Sequence, residues 1–110
     1  MLVEFFSSDV RDFIKAQPPK AVLKIMSRLE MLEKYGLDFC THSGTVKFLR
    51  NGICEVKVRF NHIFYRFLFV IRQTVCWLLH AFKKKSNTTP AKELGLAIKR
   101  AGILDRRLAI

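Results

Sequence analysis

At residue 46 the spacing of apolar residues changes from three-and-four to two, and that change limits the folds open to this chain. Upstream, Val22, Ile25, Met26, Leu29 and Leu32 recur at helical spacing within residues 21–35. Downstream, Val46-Lys47-Phe48-Leu49-Arg50 runs into Asn51-Gly52, a strong hairpin signal because both residues tolerate positive φ. In residues 53–60, Cys54, Val56, Val58 and Phe60 share one face while Glu55, Lys57 and Arg59 share the other. That alternation describes an antiparallel strand with one buried and one polar face.

The remaining elements follow from their punctuation. Residues 2–6 read as a first strand, and Ser7 or Ser8 can cap a helix over residues 8–16 that stops before Pro18-Pro19. Gly36 is expected to end the second helix, with residues 37–45 as a loop. Asn61-His62 and Gln73-Thr74 are the turns around strands at residues 63–71 and 75–82. Thr89 as cap and Pro90 at the first position open a last helix carrying Leu94, Ala97, Ile98 and Ala101, with Gly102 as its end. Residues 103–110 receive no element. With no repeat or linker, residues 1–110 form one domain. The order is β-α-α-β-β-β-β-α: an α+β fold with a curved, mostly antiparallel sheet packed on an N-terminal helical hairpin and a C-terminal helix.

Charge divides at the same place as the period. Residues 1–45 carry six Lys/Arg and six Asp/Glu, whereas residues 46–110 carry fourteen Lys/Arg against Glu55, Glu93 and Asp105. The whole formal net charge of +11 therefore belongs to the strand-rich part, on a folded face suited to polyanions, phosphate backbones above all. The three cysteines, Cys40, Cys54 and Cys76, show no CxxC spacing and imply reduced, buried thiols, without a disulfide framework or zinc site. The start of the chain meets Asp9, Arg11 and Asp12 too early for a signal peptide. The apolar run at residues 63–82 contains Arg66 and Arg72, and a central arginine costs about 2.5–3.5 kcal/mol on insertion into a bilayer. No membrane partner and a cytoplasmic location are expected.

The nine acids are scattered, with no D-x-D or E-x-x-H, so no metal site and no cofactor are expected. The chemistry available is cationic. Lys57 and Arg59 project from one face of a strand, Arg66 follows amid apolar residues, and Lys83-Lys84-Lys85 closes the last strand. An arginine among phenylalanines calls for an anion, either a ligand or Glu55 across the hairpin in a purely structural pair. His80 is either a catalytic histidine or a core histidine with one satisfied nitrogen.

Lys47-Phe48-Leu49, Gly52-Ile53-Cys54-Glu55-Val56-Lys57, Tyr65-Arg66, Leu78-Leu79-His80-Ala81-Phe82, Lys84-Lys85-Ser86 and Thr89-Pro90-x-x-Glu93 together resemble one pattern. It is that of the phage-derived, HigB-like branch of the RelE/ParE superfamily, toxins of type II toxin–antitoxin modules. The resemblance spans residues 46–100, and the chain departs from it at Cys54, Lys57, Ala81 and Lys83. It implies a metal-independent endoribonuclease that cleaves mRNA at the ribosome and inhibits translation, neutralised by a cognate antitoxin of helix-turn-helix type. In that reading Arg66 stabilises phosphate, helped by Arg59 or Lys57, and Lys84 and then His80 are the candidates for proton transfer. Phe82 stacks on a base, while Lys47, Arg50, Lys83 and Lys85 contact RNA phosphates. Truncating Arg66 should then remove activity and spare the fold. The alternatives are a ParE-like inhibitor of DNA gyrase and a non-catalytic RNA-binding module.

Overall fold

The computed structural model describes residues 1–84 and 88–109. Its elements are β1 (Leu2–Phe5), α1 (Ser8–Lys15), α2 (Pro19–His42), β2 (Val46–Phe48), β3 (Cys54–Phe60), β4 (Ile63–Arg72), β5 (Val75–Lys84) and α3 (Ala91–Leu108). The order matches the reading of the sequence. The five strands form one sheet in the order β1-β5-β4-β3-β2, with β1 parallel to β5 and the other pairs antiparallel.

The hairpins form at the turns expected. Asn51 and Gly52 have φ of 56° and 75°, Asn61 and His62 of 49° and 66°, and Gln73 of 57°. Positive φ at these central residues matches the right-handed twist of the flanking strands. The first sheet face carries Cys54, Val56, Val58, Phe67, Phe69 and Leu78, packed with Val10, Ile14, Ile25, Leu29 and Leu32 of the helical hairpin. The second face carries Leu68, Val70 and Leu79, packed with Leu94, Ala97, Ala101 and Leu104 of α3. Because α3 packs on β4 and β5, much of the β3–β2 side of this face lies beyond its cover. Exposure rises along β3 accordingly: Glu55 is buried, Lys57 half-buried and Arg59 exposed.

Three boundaries differ from the sequence reading. Gly36 does break helical geometry, with φ +83°, but the chain resumes as helix through His42 instead of looping. Cys40 is buried in that added turn and Leu37 packs on the same core, so tertiary contact holds a segment whose local signal is weak. Gly102 does not end α3, because Leu104 is buried two residues later and Asp105 accepts from Arg72 Nε at 2.6 Å and Nη2 at 3.1 Å. That pair holds the Asp105 carboxyl below the usual carboxylate range. Neither Thr89 nor Ser7 acts as a side-chain cap; the Ser7 hydroxyl binds the Asp9 carboxylate instead.

All three cysteines are buried free thiols. Burial pushes the Cys54 thiol up to about 11, and burial, with Cys54 and Glu33 nearby, pushes Cys76 higher still. Since the thiolate is the reactive form, the native protein should resist a maleimide or disulfide reagent at pH 8 and yield three reactive thiols only in denaturant. Rapid labelling of a native thiol would contradict this packing.

Candidate functional site

The site is built where the second sheet face runs out from under α3. Alternation on β3 and β4 sends Glu55, Lys57, Arg59, Phe64 and Arg66 to that face, opposite the residues packed on the helical hairpin. On β5 the alternation is interrupted. Phe69 pairs with Leu78 but Leu68 with His80, so Leu79 is an extra residue in a β-bulge. Leu79 packs in the α3-side cluster and His80 bonds Glu93 of α3, so both adjoining residues serve the same face. Beyond the bulge, Phe82 and Lys84 share that face, and Lys83 is turned to the other, opposite Tyr65.

Phe64 is the hub of the assembled cations. Lys57 Nζ lies 5.2 Å from its ring centroid, Arg66 Cζ 5.4 Å and Arg59 Cζ 5.6 Å. Its cross-strand partner is Lys84, which adds a fourth cation at the same position along the sheet. Cations over an aromatic face gain about 0.5–1 kcal/mol each at exposed sites, and this lets like charges gather without a full complement of acids.

Beside this cluster is a cavity of about 280 Å³ lined by Lys47, Leu49, Glu55, Lys57, Arg66, Thr88, Thr89 and Leu94. Glu55 is 3 % exposed and Arg66 1 %, and Arg66 Nη1 donates to Glu55 Oε1 at 2.9 Å. Thr89 Oγ1 donates to the other carboxylate oxygen, Glu55 Oε2, which ties the chain leading into α3 to the cavity. The structural alternative for Arg66, pairing with Glu55, is thus realised. It also changes the expected effect of truncation, because removing one member of a buried pair strands the other's charge. A larger cavity of about 440 Å³ lies at the opposite end of the β4–β5 hairpin, around the Arg72–Asp105 pair and Trp77. It contains no candidate residue, and its one cation is already matched by an acid.

His80 sits differently from the cations. Its Nε2 is engaged by Glu93, its Nδ1 is buried, and its ring stacks on Phe82 at 5.6 Å and 23°. This geometry makes His80 a strut between β5 and α3. Phe82 is half-buried against the α3-side cluster. Of the other candidates, Lys47 joins the cavity, Arg50 is exposed in the β2–β3 turn, and Lys83 faces away. Lys85 lies outside the described residues. Sequence reasoning named Glu55 only as a structural partner for Arg66, and passed over Phe64, Thr89 and Glu93 as site residues. For Phe64 the signal was available, since it stands two residues before Arg66 on one strand and so must share its face.

Among the described residues no three His, Cys, Asp or Glu side chains gather so as to hold a metal ion, and no helix is long and apolar enough to cross a membrane. The five-stranded order, the helical hairpin on one face and the cationic open end of the other describe an α+β protein of RelE-like fold. Within that class, the family described as phage-derived protein Gp49-like (DUF891) matches residues 12–102, most of the chain, and this chain belongs to it. It is a family of the RelE/ParE toxin type. A search of curated proteins finds no match.

Proposed function

We propose that this protein is the toxin of a type II toxin–antitoxin module, of the HigB-like branch, and a metal-independent endoribonuclease that cleaves mRNA at the ribosome. The observation that carries this reading is the gathering of Lys57, Arg59 and Arg66 around Phe64, beside a cavity whose only acid among the described residues, Glu55, is already bound to Arg66. Such a site retains positive charge for a phosphate and can stabilise charge that develops on it.

In the proposed reaction the ribose 2′-oxygen bonds to the adjacent phosphorus, the P–O5′ bond breaks, and the products are a 2′,3′-cyclic phosphate and a 5′-hydroxyl. The proton lost from the 2′-hydroxyl goes to a base and one is delivered to the departing 5′-oxygen. Lys57, Arg59 and Arg66 stabilise the phosphorane. Lys84 is the group for proton transfer, because both His80 nitrogens are occupied or buried. Phosphates of structured RNA and an acidic or helical antitoxin segment would compete for the same charge.

The test is the product. Free RNA is incubated with EDTA, and ribosome-bound mRNA with magnesium at a level that keeps ribosomes intact. Cyclic-phosphate ends should form in both. Cleavage of free RNA lost with EDTA and restored by manganese would overturn the mechanism, and inhibition of gyrase supercoiling with translation untouched would move the protein to the gyrase-directed class.

A further inference from the structure

Helix α3 carries five cations, and the fold sorts them into two sets. Arg100 turns inward, donating to Asp9 Oδ2 at 2.8 Å and to the Leu79 carbonyl at 2.7 Å, and the Arg107 guanidinium lies 4.4 Å over the Phe6 ring. The other three, Lys92, Lys99 and Arg106, are seven residues apart. At about 100° per residue they fall within roughly 40° of one another, on the side opposite buried Leu94, Ala97, Ala101 and Leu104. Both acids of α3 are engaged elsewhere, Glu93 by His80 and Asp105 by Arg72. Among the described residues, Lys92, Lys99 and Arg106 enter no ion pair. The result is a straight, un-neutralised row of charge about 21 Å long on a rigid helix. Gly95 beside it leaves the backbone approachable, since a Cβ there would meet nothing within 4 Å.

We infer that this outer face of α3 is a second anion-binding surface, which docks on the phosphate backbone of double-stranded RNA without reading its sequence. A rigid row of cations matches a rigid row of phosphates, as in proteins that recognise duplex RNA by shape and backbone. An anionic membrane fits less well, because the exposed large apolar residue on this side is Leu96, only 36 % exposed, too little to insert. Since Leu94 lines the cavity at the start of α3, the row runs away from it and leaves it open to a single strand. The inference extends the RNA reading above and rests on it for its biological use, but its binding claim stands apart.

The experiment compares the wild type with K92Q/K99Q/R106Q, whose substitutions are surface changes of good helix formers. Binding of a 20-base-pair RNA duplex is followed by fluorescence anisotropy across a salt series. The triple variant should bind about 10–100-fold more weakly at low salt, and its slope of log affinity against log salt should be shallower by about 3. Its melting temperature and its cleavage of short single-stranded RNA should equal the wild type's. Duplex affinity and slope unchanged in the triple variant would overturn the inference, as would a loss confined to anionic vesicles or an acidic peptide. If the wild type cleaves nothing yet binds duplex through the row, the nuclease reading fails and this surface stands.

Discussion

Arg66→Ala is expected to lower the melting temperature by about 12–25 °C, because it removes the guanidinium with which buried Glu55 is paired. The loss of one member of such a pair costs about 3–5 kcal/mol, and each kcal/mol moves a domain of this size by about 4–5 °C. Glu55 is 3 % exposed, so water cannot substitute for the guanidinium without opening the site. An inactive Arg66→Ala would therefore say little about chemistry by itself. The double variant E55Q/R66M separates the two roles. The Gln side chain keeps an acceptor for Thr89 while both charges disappear together, so most of the lost stability should return. Cleavage should not return, since the guanidinium that lines the cavity is gone and Arg59 lies outside that lining. A double variant that melts and cleaves like the wild type would reduce Arg66 to a structural strut. One as unstable as Arg66→Ala would show that the two charges are not coupled.

The largest effect on activity with little effect on stability is expected from Lys57→Met and Arg59→Met. Loss of one charge that stabilises a developing anion lowers the cleavage rate about 10²–10³-fold. Arg59 is exposed and Lys57 half-buried, and each apolar replacement still covers the Phe64 ring. The melting temperature should accordingly move by only a few degrees. Lys57→Arg should keep or raise the rate, because a guanidinium can fork around a phosphate where an ammonium makes a point contact. Single-turnover cleavage of one short RNA, read with thermal melts, tests all three variants. Full activity in Lys57→Met would remove Lys57 from the site and leave Arg59 in its place.

The order of elements was legible because it rests on local chemistry. Period-two runs separated by Asn51-Gly52, Asn61-His62 and Gln73-Thr74 allow little but antiparallel strands, and all of those residues but Thr74 adopt the positive φ that such turns favour. The alternation in β3 likewise placed Glu55, Lys57 and Arg59 on one face before any contact was known. The charge excess after residue 45 pointed to a cationic surface in the strand-rich half, where the cluster around Phe64 is found.

Other features depend on partners distant in the chain. Residues 37–42 stay helical past Gly36 because Cys40 finds a place in the core, and α3 passes Gly102 because Leu104 and Asp105 are held by the sheet. Whether Lys83 or Lys84 reaches the site is decided by the bulge at Leu79, an interruption of pairing with β4 that no period-two count foresees. Whether Arg66 meets a ligand or an acid first depended on the β3–β4 register, which sets it opposite Lys57 and within reach of Glu55. Local propensity and alternation act over a few residues and can be read from the chain, but burial, strand register and charge pairing are settled only when segments far apart in sequence are brought together.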